Sequence, residues 1–246
     1  MEYQEFLLKL QQIQKMGWVK SHREGDTGIG KTLEDLLGIS ENNISGPDFS
    51  NYELKSGRKN SPSMLTLFTK TPQPYGAIGE LLKNFGYPNR KTKNITQMRF
   101  LLLDKSEISP HEKELHVTVD SLAPNTVGLK LKVKNNRLYI DNVKGIEAYY
   151  DQDTLRQCFE QKYDKLIYVL ADSKGTRDNE LFFFNEAYLL ESFNFENFSR
   201  LIQAGKLKVD LRVGHYPDGR LHDHGTGFRI LPKDLPESFE RIQRIL

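Results

Sequence analysis

Cysteine is nearly absent from this chain. Cys158 stands alone, so no internal disulfide can brace the fold, and the expected setting is a reducing cytoplasm. Long apolar runs are missing too. Nothing approaches the roughly 20 residues that a membrane helix needs, so no membrane partner is expected. The first residues, MEYQEFLLKLQQIQ, carry Glu2 and Glu5 and lack the basic start and apolar stretch of a signal peptide. A strong net charge is also lacking. Lys and Arg total 35 against 33 Asp and Glu, leaving +2, so net charge alone does not argue for nucleic acid. Repeats and low-complexity linkers are absent. What remains is an ordinary globular composition, 37% hydrophobic and 28% charged over 246 residues. That length suits one large domain or two lobes with a shared core.

The basic residues are unevenly spread. Between Leu54 and Lys93 lie Lys55, Arg58, Lys59, Lys70, Lys83, Arg90, Lys91 and Lys93, opposed by Glu80 alone. Such a stretch attracts a polyanion by releasing its counterions; a solvated basic face has the same composition. Apolar spacing predicts helices over 3–16, 31–37 (after a glycine-rich turn at 25–30, and closed by Gly38), 75–85, 152–162 and 195–203. Strands are expected at 51–56 and 64–69, joined by the polar loop GRKNSPS, and at FLLLD (100–104). A hairpin is expected at 129–141 around Asn135-Asn136, with further strands in LIYVLAD, LFFFNEAYLLE, KLKVDLRV and GFRIL. This mixture indicates an α/β or α+β core.

One segment, PDFSNYELK, carries metal chemistry. Glu53 and Lys55 are two apart on a strand and share a face. Asp48 enters that strand from a turn behind Pro47. Two carboxylates and an ammonium converging on one point suit Mg²⁺, a hard cation that keeps waters and takes substrate phosphate as a further ligand. Such an ion stabilises charge in phosphodiester hydrolysis, and a lysine beside it can orient or deprotonate the attacking water. A surface turn with an ordinary Glu–Lys pair matches the same spacing. On the upstream helix, Leu33, Leu36 and Leu37 form an apolar stripe. Glu34 lies about 60° from Leu37 at its border, and Asp35 points to solvent. A carboxylate in that position needs a partner, which a metal site or a lysine can supply.

Gly25 to Thr32, GDTGIGKT, also fits the phosphate-loop pattern G-x4-G-K-[ST], so a P-loop nucleotide hydrolase is an alternative. That loop requires a buried strand running into its glycines. The residues that precede it here, VKSHRE, are polar. A plain turn, or a DNA phosphate contact through Gly28, Gly30 and Lys31, accounts for the same residues. Near the C-terminus, Asp210 and Arg212 share a strand face, and Arg220, His222, His224 and Arg229 lie in or after an extended loop. Arginine can bond guanine O6 and N7, and aspartate can accept from cytosine N4. A polar surface loop has similar composition, and a zinc site there lacks a cysteine or a well-spaced third ligand. Lys130, Lys132 and Lys134 occupy one strand face, where they either contact phosphates or guard a sheet edge.

The run TGIGKTLEDLLG followed by GPDFSNYELKSGR resembles the MutH-type branch of the PD-(D/E)xK nucleases, which includes the MvaI and BcnI restriction endonucleases. The likeness is carried by residues 25–70 and is strongest to an MvaI-like type II restriction endonuclease. It implies a restriction-endonuclease-like core with a central mixed sheet and two lobes forming a DNA-binding cleft. It implies Mg²⁺-dependent hydrolysis of double-stranded DNA by a monomer, with a cognate DNA methyltransferase in the same restriction-modification system. By this likeness Asp48 and Glu53 are metal ligands, Lys55 serves the attacking water and Glu34 is an accessory carboxylate. The C-terminal region would supply base contacts, from Asp210, Arg212, His222, His224 and Arg229. Taken to the level of MvaI, the site would be CCWGG, where W is A or T. The expected division is 1–104 plus 150–190 for the catalytic core and 105–149 plus 191–246 for the recognition lobe. A MutH-like mismatch-repair nicking enzyme and a non-catalytic DNA-binding module remain alternatives.

Overall fold

The computed structural model describes residues 1–39, 48–59, 61–88, 113–163, 165–176, 178–216 and 218–246. The expected strand at 100–104, Pro47, and the basic residues Arg90, Lys91 and Lys93 lie outside them. In chain order the helices are α1 (Tyr3–Lys15), α2 (Gly28–Leu37), α3 (Ala77–Phe85), α4 (Gln152–Glu160) and α5 (Phe195–Gln203). The strands are β1 (Val19–Lys20), β2 (Tyr52–Arg58), β3 (Leu65–Thr69), β4 (Tyr87–Pro88), β5 (Lys113–Val119), β6 (Leu129–Lys134) and β7 (Arg137–Asn142). They continue with β8 (Tyr149–Asp151), β9 (Lys165–Lys174), β10 (Leu181–Phe193), β11 (Leu207–His215), β12 (Leu221–Asp223), β13 (Gly227–Ile230) and β14 (Phe239–Arg244). No helix among the described residues is long and apolar enough to cross a membrane.

The chain forms two compact units. The first comprises residues 1–65, 156–197 and 231–246, the second 66–155 and 198–230. These bounds differ from the expected ones: 66–88 fold with the second unit and 231–246 with the first. Pairing decides this, since β3 joins the sheet of β13 and β11, while β14 lies along β10.

The first unit is built on a mixed sheet in the order β1-β10-β9-β2, with β14 also on β10. Among the described residues of this sheet, β2 and β9 pair parallel and β10 runs antiparallel to its neighbours. The apolar run LIYVLA makes β9 suited to the sheet interior, where both faces are covered. Helices α1 and α2 cover one face. Phe6, Leu10 and Ile13 of α1 and Ile29, Leu33 and Leu37 of α2 enter one cluster with Leu54, Ile167, Val169 and Phe184. Gly38, at φ 74°, closes α2 as expected. The helix starts earlier than expected, however, because Gly28 and Gly30 are its first turn and not part of a preceding loop. Gly25, at φ 82°, makes the turn instead.

Strands β2 and β3, although consecutive and joined by one polar loop, do not pair with each other. The connection through Pro62 has no tight-turn pair, and β9 offers the apolar run LIYVLA as a partner. Strand β2 pairs with it over Tyr52–Arg58, while β3 goes to the other unit.

The second unit holds a sheet in the order β3-β13-β11-β5-β4, with β12 on β11, and a separate sheet β6-β7-β8. The β6–β7 hairpin turns at Asn135 and Asn136, with φ 50° and 57°, the left-handed pair that a two-residue turn requires. Strand β6 is an edge of its sheet, as lysines guarding an edge would have it. Stacked rings of Phe68 and Phe228, 4.5 Å apart, lie in this unit's core.

Candidate active site and nucleic-acid face

Strand β2 places Glu53 and Lys55 on one face, as alternation requires. Lys55 Nζ donates to Glu53 Oε1 at 2.6 Å. Asp48 precedes the strand in a tight turn: its main-chain N–H donates to Tyr52 O at 3.0 Å. Its Oδ2 accepts from the N–H of Leu54 at 2.7 Å. That bond fixes the Asp48 carboxylate beside the residue that separates Glu53 from Lys55.

Glu53 is only 1% exposed. Its Oε1 faces Lys55 and, at 3.8 Å, Lys162 Nζ. Its Oε2 is buried with no hydrogen-bond partner among the described residues. A buried carboxylate oxygen left unsatisfied costs about 1–3 kcal/mol or more, so this arrangement is one that a cation would complete. Tyr163, fully buried, faces the same carboxylates. Its hydroxyl is held well above the ordinary tyrosine range, first by burial and then by the charges of Glu53 and Asp48.

Glu34 lines a cavity of about 320 Å³ together with Arg23, Lys31, Leu54, Lys55 and Ser56. It therefore borders the space that Lys55 also borders. The structure does not bring it into one metal-holding group with Asp48 and Glu53: no cluster of three His, Cys, Asp or Glu side chains capable of holding a metal occurs among the described residues. Asp35 is exposed and holds Lys31 at 2.8 Å and His22 at 2.9 Å. These partners keep its carboxyl below the ordinary aspartate range.

Lys162 and Tyr163 escape sequence reasoning. They stand just before β9, and the parallel register sets Tyr52 beside Lys165 and Glu53 beside Leu166. In a parallel pair the strand beginnings lie level, so residues leading into β9 reach the beginning of β2. Nothing in local spacing signals this.

The phosphate-loop reading finds no support in the backbone. Strand β1 has two residues and pairs antiparallel at an edge with β10. A Cβ at Gly28 would run into the carbonyl of Arg23 and the hydroxyl of Ser21, so that glycine serves close packing.

In the second unit, β11 carries Asp210 and Arg212. Asp210, 8% exposed, accepts from Arg229 Nη1 at 2.8 Å and from Thr118 Oγ1 at 3.0 Å. Arg212 Nη2 donates to Gly225 O at 2.8 Å, and its Nε lies 3.9 Å from Asp210 Oδ2. Asp210, Arg212 and Arg229 thus form one group on adjoining strands. His222 and His224 join a row of rings: Tyr216 stacks on His222 with centroids 3.9 Å apart, and His224 follows at 3.8 Å. His116 of β5, opposite Arg212 in register, meets His224 edge-on at 5.8 Å. Sequence reasoning missed His116, which arrives through strand pairing. Burial first, and then the neighbouring His222, His116 and Arg212, lower the tendency of His224 to protonate. Arg220 is exposed and bound to Asp218 at 2.7 Å across its own turn, and its guanidinium lies over the Tyr216 ring, 5.4 Å from the centroid, at the end of this row.

A family model described as the MvaI/BcnI restriction endonuclease family matches residues 7–239. The chain belongs to the MvaI/BcnI restriction endonuclease family. It is accordingly a type II deoxyribonuclease that cleaves DNA, in a family whose chemistry rests on a divalent metal. The structure of MvaI in complex with its cognate DNA substrate is similar over 100% of both chains, with 30% identity and a TM-score of 0.78. MvaI solved without DNA gives 28% identity and a TM-score of 0.57, over 100% of this chain and 99% of that one. No curated protein sequence matches the chain. The mixed α/β fold of the MvaI/BcnI family is therefore the fold of this chain.

Proposed function

We propose that this MvaI/BcnI-family enzyme is a Mg²⁺-dependent endonuclease that cuts double-stranded DNA at CCWGG, with Asp48, Glu53 and Lys55 at its centre. The observation that carries this reading is Glu53: nearly inaccessible, bound to Lys55 through one oxygen and unsatisfied at the other. Asp48 and Glu53 would hold the ion, and hard carboxylate oxygens fit it. When bound, the ion supplies Lewis-acid stabilisation of charge on the phosphoryl oxygens. Asp48 is oriented by the Leu54 N–H. Lys55 holds its ammonium beside Glu53, where it can position water and manage its proton. Glu34, on the wall it shares with Lys55, is the accessory carboxylate, and Lys31 beside it is a DNA phosphate contact.

On the second unit, Arg212 and Arg229 would read guanines, with the Gly225 carbonyl holding the first guanidinium and Asp210 holding the second, Asp210 also being available to cytosine N4. His222 and His224 would contribute to the same face; Arg220, exposed on its turn, would meet backbone phosphate. We further propose that the protein acts as a cytoplasmic monomer alongside a methyltransferase that protects the same site. The specificity rests on likeness at 30% identity to MvaI. It is tested by digesting a sequenced plasmid with Mg²⁺ and mapping the ends. Discrete double-strand cuts at CCWGG are expected. Cuts at another sequence would overturn the site assignment, and nicks confined to GATC would favour a MutH-like activity instead.

A further inference from the structure

Glu53 faces two ammonium groups. Lys55 is bonded to its Oε1 at 2.6 Å, whereas Lys162 approaches the same oxygen only to 3.8 Å. The second distance is too long for a hydrogen bond, so Lys162 contributes charge without fixing geometry. Its side chain is 30% exposed while that of Glu53 is 2% exposed, so the lysine reaches into the site from its rim. Asp48 and Glu53 bring two negative charges, and Lys55 and Lys162 bring two positive ones. Within this group the charges cancel. A divalent cation drawn to the unsatisfied Glu53 Oε2 would be attracted by two carboxylates and repelled by two ammonium groups. DNA phosphate, arriving beside the same group, would tip the balance toward the cation.

We propose that Lys162 acts on the metal site through its charge alone, weakening divalent-cation binding in the DNA-free protein and thereby coupling metal loading to DNA. The inference rests on the reading of Glu53 as a metal ligand. Lys55 cannot serve this role separately, because its contact with Glu53 is a hydrogen bond that geometry depends on. Lys162 can lose its charge and leave that bond in place.

The test is calorimetric titration of the DNA-free protein with Ca²⁺ alone, comparing wild type with Lys162→Met, Lys162→Arg and Glu53→Gln. Methionine keeps the apolar stem and removes the charge. Lys162→Met is expected to bind roughly tenfold more tightly, the effect of removing one nearby charge from a divalent ion even at water-like screening. Lys162→Arg is expected to match wild type. Equal or weaker binding by Lys162→Met, with Glu53→Gln abolishing binding, would overturn the role of Lys162 while leaving the metal site intact. Unchanged binding in Glu53→Gln would instead overturn the metal-site reading, and this inference with it.

Discussion

Removing Glu53 or Lys55 isolates chemistry from folding, because of how each is exposed. Glu53→Ala leaves the ammonium groups of Lys55 and Lys162 without their carboxylate, but their side chains are 26% and 30% exposed and can rehydrate. Lys55→Ala leaves Glu53 with Lys162 still nearby. Both variants should fold, bind DNA in a gel-shift assay nearly as wild type, and cleave roughly 10²–10⁴-fold more slowly; a fully active double variant would refute the site. Arg212 and Arg229 call for a different measurement. Arg212→Ala or Arg229→Ala should cost about 1–3 kcal/mol on the cognate sequence and little on others if the guanidinium reads a base. Weakening that is equal on all sequences marks a phosphate contact. Individual residues were legible where local geometry suffices: alternation alone sets Glu53 and Lys55 on one face. Lys162, Tyr163 and His116 were not legible, because parallel register and strand pairing deliver them from distant parts of the chain.

Strand β2 illustrates what an element adds to its residues. It lies against β9 throughout its length, and at its far end Gly57 admits the Tyr168 ring: a Cβ there would run into the tyrosine hydroxyl. That hydroxyl is buried without a hydrogen-bond partner among the described residues, and burial pushes its pKa up to about 12. Gly57→Ala should therefore destabilise the protein by about 1–3 kcal/mol through overpacking. Tyr168→Phe removes an unsatisfied polar atom and should be neutral or stabilising. In that background Gly57→Ala should cost markedly less, because the clashing atom is gone. Thermal melts of the two single variants and the double variant measure the coupling, and strict additivity would rule the contact out as the cause. The existence of β2 was readable from YELK, but its partner was not. The apolar run of β9, distant in sequence, supplies a buried pairing that nothing in the local spacing of β2 announces. The start of α2 was misplaced for a related reason. Gly28 and Gly30 read as turn residues by propensity, yet close packing against the Ser21–Arg23 segment keeps Gly28 in the helix.

At the scale of the whole molecule, the first unit is assembled from three separate stretches of chain, so its integrity depends on residues far from its chemistry. The last stretch, 231–246, contains none of the candidate site residues. It nevertheless supplies β14, which pairs with β10 from Tyr188 to Phe193. Phe239, 6% exposed, meets Phe193 edge-on at 5.6 Å, and Ile245 and Leu246 pack against the core cluster. Burying a phenylalanine side chain is worth about 1.5–3 kcal/mol. Losing it together with a strand's pairing takes several kcal/mol from a total that is only about 5–15 for a typical domain. Removing the strand also bares one side of β10, an open edge that invites aggregation. A chain ending at Ile230 should therefore lose cleavage although Asp48, Glu53, Lys55 and Arg229 are all retained. Limited proteolysis should cut first within 156–197, where β9 and β10 lie, and leave the 198–230 segment protected longer. A truncated chain that still cleaved DNA at the wild-type rate would show that β14 is dispensable to the sheet carrying Glu53.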